Sequence, residues 1–220
     1  MIPEKDNGKR LYVFDLGGVT LDNVDFRKKW LNTIKVDERE FYRTYKEYIW
    51  PIMDGTMSVE AFYSHLEKYF GIKIEGDPFY EYFDPTLNKD VAETILRLRE
   101  DGNRVVAGTN NCTPHWRFIK AKGWDKLFDA SYASQEMGLS KPYSAFFKYI
   151  LEKEGYEAED AVMIDDLEEN LEGARGVGMK TFLLTPEFDR KNLYSSLLSL
   201  CKLVLFFSFH IEYKNKPFGR

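Results

Sequence analysis

Leu11-Tyr12-Val13-Phe14-Asp15-Leu16-Gly17-Gly18-Val19-Thr20-Leu21-Asp22 is the stretch that decides how this chain is read. Four apolar, β-prone residues run into a carboxylate, and Gly17-Gly18 break the run at once. This is how a buried parallel strand reads when it delivers one acid to the C-terminal edge of a sheet. In open α/β sheets that edge is where ligands bind. What else reaches it sets the chemistry open to Asp15.

Downstream, strands and helices alternate. A helix over about 88–101 stops at Gly102, and the strand Arg104 to Gly108 ends in Thr109-Asn110-Asn111. Thr113-Pro114 read as N-cap and first residue of the next helix. A short strand near 129–133 leads to Lys141-Pro142, and a helix spans about 144–154. The strand Ala161 to Ile164 ends in Asp165-Asp166, a helix covers about 168–176, and a last strand covers 181–184. Repeated β-α-β units with short connections predict a parallel, Rossmann-like α/β sheet covered by helices on both faces.

Between Asp22 and Pro85 the period is helical. Phe26, Trp30 and Ile34 recur every four residues after Asp25. Asp37 with Glu40 is a capping-box variant before Phe41, Tyr45, Tyr48 and Ile49, and Pro51 and Asp54-Gly55 are expected to break that helix. Ser58 caps a third helix that stops at Gly71. Residues 1–22 and 85–220 therefore form a discontinuous core, and 23–84 an all-helical insertion. Trp30, Tyr45, Tyr48 and Trp50 are expected to pack inside it, with one or two facing a cleft.

The totals narrow the function. The chain has 220 residues, 44% hydrophobic and 30% charged, enough for one core with a smaller partner. A net charge of −5 argues against a general nucleic-acid binder. Cys112 and Cys201 are the only cysteines, which leaves no disulfide framework and no cysteine-based zinc site. The first residues are polar and lack a signal-peptide core, so the simplest expectation is a soluble cytoplasmic protein. The segment 190–220 carries six basic residues and one acid, and Leu197 to Phe209 is a nearly apolar run. Thirteen residues are too few for a membrane span, which needs roughly 20. A packed helix and strand, or a homo-oligomer contact, is the expectation for this run.

The strand ends and one loop collect Asp15, Thr109, Lys141, Asp165 and Asp166 on one edge. Clustered carboxylates with a backbone carbonyl suit a hard dication such as Mg²⁺, which also lets the acids sit together. Thr109 and the Asn110 amide can hold a phosphoryl oxygen, Lys141 can neutralise another, and Asp15 can attack phosphorus. Beside these, His115 is expected at the surface of a helix start, Cys112 as a small buried residue, and Asn170 as structural.

These residues resemble the motifs of the haloacid dehalogenase (HAD) superfamily. Phe14-Asp15-Leu16-Gly17-Gly18-Val19 resembles the first, Gly108-Thr109-Asn110 the second, Lys141-Pro142 the third and Met163-Ile164-Asp165-Asp166 the fourth. The insertion at 23–84 matches the position of the type-1 cap, and Asp54-Gly55 to Phe62 resembles a segment of the branch that includes bacterial glucose-1-phosphatases. The resemblance implies a phosphatase on a small phosphorylated metabolite, with sugar phosphates favoured. It implies an aspartyl-phosphate on Asp15, and Mg²⁺ held by Asp15, the Gly17 carbonyl, Asp165 and Asp166. Gly17, Gly18, Thr109, Asn110 and Lys141 would contact the substrate. The chain departs from the family at Gly17, where most members carry a second Asp as general acid, worth ~10²–10⁴-fold. The rival readings are a low-activity or inactive phospho-ligand-binding protein and a metal-independent 2-haloacid dehalogenase. The doubled Asp165-Asp166 argues against the second, because unpaired buried acids are costly.

Overall fold

The computed structural model describes residues 9–201. Expectations for the first residues and for most of the apolar run at 197–209 lie outside them. Strands β1 (Leu11–Phe14), β4 (Arg104–Thr109), β5 (Ala130–Ala133), β6 (Ala161–Asp165) and β7 (Lys180–Leu183) form one sheet in the order β5-β4-β1-β6-β7. Every pairing in it is parallel. β2 (Leu21–Asp22) and β3 (Thr86–Leu87) form a separate antiparallel ribbon.

Alternation along the strands explains the two layers, because successive side chains point to opposite faces. Tyr12, Phe14, Val105 and Ala107 join one apolar cluster with Val91, Ile95 and Leu98 of α5 (Lys89–Glu100) and Ile119 of α6 (Thr113–Lys122). Leu11, Val13, Val106 and Met163 join the other, with Phe146 and Ile150 of α8 (Ser144–Glu154), which follows the short α7 (Ser134–Met137), and Leu171 of α9 (Glu168–Gly176). The sheet is thus buried on both faces, which is why its strands read as continuous apolar runs. Residues 193–201 are helical, and Leu193, Leu197 and Cys201 pack into the first cluster. The apolar run therefore begins as a packed helix.

The chain leaves the core after Asp22 and returns at Thr86, and the β2–β3 ribbon ties the two crossings together. Between them lie α1 (Arg27–Leu31), α2 (Glu38–Met53), α3 (Val59–Phe70) and α4 (Pro78–Glu81). Asp37 and Ser58 cap α2 and α3 by accepting from Glu40 N and Ala61 N, and Gly71 ends α3 in the left-handed conformation. Trp30, Phe41, Phe62 and Phe79 are fully buried and bind the four helices into one aromatic core.

Two local expectations need correction. Of the two breaks expected for α2, Asp54-Gly55 is where the helix ends, with Asp54 as C-cap and Gly55 at φ +77°, whereas Pro51 lies inside it. Proline removes one backbone donor and crowds the carbonyl four residues earlier, a local cost to the preceding turn that the helix carries here. The N-cap of α6 is Cys112, one residue earlier than Thr113, so Pro114 occupies the second helical position, still in the turn that needs no backbone donor. Of the four aromatics expected in the insertion, Trp50 is the half-exposed one and faces a cleft, in line with the expectation that one or two would.

Candidate active site

Asp15 follows β1 directly, at the point where the neighbours change from β4 on one side to β6 on the other. Such a switch point leaves a crevice outside the strand ends. Asp15 N donates to the Ile164 carbonyl and the Asp15 carbonyl accepts from Thr20 Oγ1 at 2.8 Å, so the turn closes on itself. Asp165 ends the adjacent β6, and its side chain is fully buried.

The lysine joins the two acids. Lys141 is 1% exposed, and its Nζ lies 2.9 Å from Asp15 Oδ1 and 2.7 Å from Asp165 Oδ2. The other Asp165 oxygen accepts from Leu167 N at 2.9 Å and Asn170 Nδ2 at 3.0 Å. Asn110 holds Lys141 from behind, accepting from its backbone N and donating to its backbone O, each at 2.9 Å. The Lys141–Pro142 peptide is cis.

Asp166 completes the cluster. One carboxylate oxygen each from Asp15, Asp165 and Asp166 lies within 4.8 Å of the others. Asp166 forms no ion pair among the described residues. Its carboxylate lies so close to Gly18 that a Cβ there would meet Oδ2 at 2.2 Å, and Gly18 has φ +73°. The left-handed backbone requires glycine, and a side chain there would have to displace the Asp166 carboxylate. Gly17 differs: a Cβ there would meet only Val24 side-chain atoms, at 3.6 Å and beyond. Arg190 reaches the same loop, donating to the Gly18 carbonyl at 3.3 Å.

The electrostatics follow from burial and crowding. Burial pushes the Asp15 carboxyl up; Lys141 opposes this and Asp165 reinforces it, leaving Asp15 at about 7. Burial and the neighbouring Asp165 also raise Asp166. Burial alone would lower Lys141, but Asp15 and Asp165 outweigh it and the net shift is upward. Lys141 pairs with Asp15 and Asp165, Arg190 acts on Asp166 from farther off, and the upward shifts of Asp15 and Asp166 show how the crowded carboxylates resist holding their charge together.

A cleft of about 480 Å³ opens beside Gly17, Thr109 and Asn110 and runs between the sheet edge and the helical excursion. Trp50 and Ile49 of α2 form part of its wall, as does Leu167. His115 also lines it and corrects the expectation of a surface residue: it is 9% exposed and stacks on Phe83 at 3.8 Å between centroids. Burial drives its pKa down to about 3, so the ring is neutral.

The structure thus gathers Asp15, Lys141, Asp165 and Asp166 and sets Gly17, Thr109 and Asn110 at the cleft. The Asn110 side chain is committed to the Lys141 backbone, which leaves only its main chain for a ligand. Cys112 is fully buried, as expected. Asn170 is structural in a specific sense, since it orients Asp165. Its position five residues after Asp165, in the first turn of α9, was the only signal available. His115, Arg190 and Leu167 gave no such signal, because their roles depend on distant partners.

Residues 9–178 match the model of the haloacid dehalogenase-like hydrolases. The chain belongs to that family. It is 32% identical over 115 residues to ribulose-1,5-bisphosphate 5-phosphatase of Halopiger xanaduensis, a match covering 50% of this chain and 48% of that protein. The chain spans less than half the length of the curated relatives it matches. Among solved structures, a predicted HAD-like family hydrolase from Porphyromonas gingivalis superposes with a TM-score of 0.73 at 25% identity, over 86% of this chain and 98% of that one. A HAD family enzyme from Bacteroides thetaiotaomicron, solved with magnesium and inorganic phosphate, gives 0.72 at 23% identity, over 85% and 100%. The second likeness shows the shared fold. Among the described residues no helix is long and apolar enough to cross a membrane.

Proposed function

We propose that the chain is a phosphoric monoester hydrolase that uses Mg²⁺ and takes small phosphorylated metabolites. The observation that carries this reading is the trio Asp15, Asp165 and Asp166, three clustered carboxylates of which Lys141 pairs with two, while no cation among the described residues pairs with Asp166. An all-oxygen donor set of crowded carboxylates fits a hard dication. Asp15, Asp165, Asp166 and the Gly17 carbonyl are the residues that would hold it. When bound, the ion would neutralise the acids and the charge of a phosphoryl group.

The chain's own groups do the rest. An Asp15 carboxylate oxygen attacks phosphorus, the bond to the leaving oxygen breaks, and an aspartyl-phosphate forms on Asp15. Water then attacks that phosphorus, releasing inorganic phosphate and restoring the carboxylate. Lys141 holds Asp15 in place and keeps a positive charge beside it through both steps. Thr109 and the main chain at Asn110, at the entrance of the cleft, orient the phosphoryl oxygens. Residues 23–84 act as the cap over the core formed by 1–22 and 85–220, with the β2–β3 ribbon as its base. Phosphorylated sugars are one candidate group, supported by the resemblance of 54–62 and by the sugar-phosphate substrate in the name of the Halopiger relative.

A screen of phosphate esters with and without Mg²⁺ tests the reading. Phosphate release should require the metal and vanish in Asp15→Asn with the melting temperature retained. Full turnover in Asp15→Asn, or halide release from a 2-haloacid without metal, would overturn it.

A further inference from the structure

The cleft beside Asp15 has a composition that bears on the leaving group. Its walls beyond Gly17 and Thr109 come from Val24, Phe26, Tyr45, Ile49, Trp50 and Phe83. Trp50 at 48% and Leu167 at 56% exposure are two of the few large apolar side chains left open to solvent among the described residues, and both line this cleft. Exposed apolar groups gathered at one concave site mark a place where something apolar binds.

The polar groups there are few and part of them are committed, while the Tyr45 hydroxyl, Asn111 Nδ2 and Trp50 Nε1 make no hydrogen bond among the described residues. Asp25 and Arg27 also line the cleft, but they hold each other through two hydrogen bonds, at 2.7 and 2.8 Å. The Asn110 amide is taken by Lys141. Asn111 Oδ1 accepts from Cys112 N. His115 Nε2 is buried without a partner and offers one acceptor. A polyol would bury several hydroxyls against this wall with few partners, and each unpaired polar group carries a desolvation cost.

The same residues bear on proton transfer. A leaving oxygen departs more easily when an acid protonates it. Asp25 is held ionised by Arg27, and burial keeps His115 neutral. Burial also moves the Tyr45 hydroxyl upward, making it a weaker acid than a free tyrosine. Gly17 has no side chain to offer. The cleft therefore suits a leaving group that departs as a weakly basic anion.

Resting on the hydrolase reading above, we propose that this cleft seats the leaving group and that this group is aryl: the substrate class is phosphate esters of phenolic alcohols. The ring lies against Phe26, Ile49 and Trp50, and the ester oxygen faces Gly17. When Asp15 attacks phosphorus, the P–O bond to the ring oxygen breaks and the electron pair leaves with the phenolate, which takes its proton from solvent after release.

The test separates binding from turnover. In the presence of Mg²⁺, the affinities of methylphosphonate, benzylphosphonate and a glucose-derived phosphonate are measured by calorimetry on the full chain. Burying the ring should make benzylphosphonate bind about tenfold or more tighter than methylphosphonate, and tighter than the sugar analogue. Trp50→Ser, at a half-exposed position, should lower the benzyl-to-methyl ratio several-fold. Hydrolysis is followed in parallel for phenyl, alkyl and glucose phosphates, with phenyl phosphate expected to give the highest kcat/KM. Equal affinity for the benzyl and methyl compounds, or tighter binding of the sugar analogue, overturns the proposal. If the ring is preferred but no ester is hydrolysed, the hydrolase reading falls and the ligand class stands. If all esters turn over equally well, the hydrolase reading stands and the aryl preference falls.

Discussion

Replacing His115 by Phe should remove part of the protein's sensitivity to acid. The imidazole is 9% exposed and lies among rings, 3.8 Å from Phe83, 4.9 Å from Phe26 and 5.6 Å from Phe79, and its Nε2 is unpartnered. Burial lowers its pKa from 6.5 to about 3. The folded state therefore resists a proton that the unfolded chain accepts near pH 6.5. A depressed histidine contributes full stability above its unfolded pKa and loses it as the pH falls toward the folded value. From pH 7 to pH 5 the unfolded histidine becomes almost fully charged while the folded one stays neutral, which costs about 2 kcal/mol at 1.36 kcal/mol per pH unit. Phe keeps the stacking and cannot titrate. Urea unfolding at pH 7 and pH 5 should show wild type losing about 2 kcal/mol more than His115→Phe over that range. Other titrating groups contribute equally to both proteins, so the difference isolates this ring. Identical pH slopes would show that His115 is protonated in the folded state and would refute the account of its burial.

Lys141→Met keeps the length of the side chain and removes its charge, leaving Asp15 and Asp165 buried side by side. Breaking a buried ion network in this way should cost about 3–5 kcal/mol, read from denaturant unfolding at pH 8. Asp166→Asn should abolish the rise in melting temperature that Mg²⁺ gives the wild type, an effect worth about 2.7 kcal/mol at a hundredfold excess over Kd. A retained Mg²⁺ response would remove Asp166 from the ligand set. Gly17→Asp should fold normally, because the added Cβ meets nothing closer than 3.6 Å. It should raise kcat/KM on alkyl phosphates by supplying an acid, and unchanged rates would show that the carboxyl does not reach the leaving oxygen.

Much of this molecule is legible before folding. The run from Leu11 to Asp15 announces a strand and its acid because burial on both faces demands uninterrupted apolar residues. Asp37, Ser58 and Gly71 mark helix ends because capping is a local matter of one side chain or one backbone angle. Asp54-Gly55 end α2 for the same local reason, whereas Pro51 misled: it reads as a breaker, yet its cost falls on one preceding turn and the packing of the helix can carry it. Trp50 and Tyr45 share a helix, and nothing in their spacing says that one is half exposed at a cleft while the other sits in the aromatic core.

The order of the motifs along the chain determined the family, the edge on which Asp15, Lys141, Asp165 and Asp166 meet, and the oxygen-rich character of the site. Those are properties of strand ends, and strand ends can be read locally. Only the tertiary structure decided that Lys141 is buried between two acids, that Asp166 presses on Gly18, that Asn110 spends its amide on the Lys141 backbone, and that His115 is a neutral ring in an apolar cleft. Each of these depends on two segments far apart in sequence arriving within a few ångströms, and the packing of the sheet against the helical excursion is what brings them there.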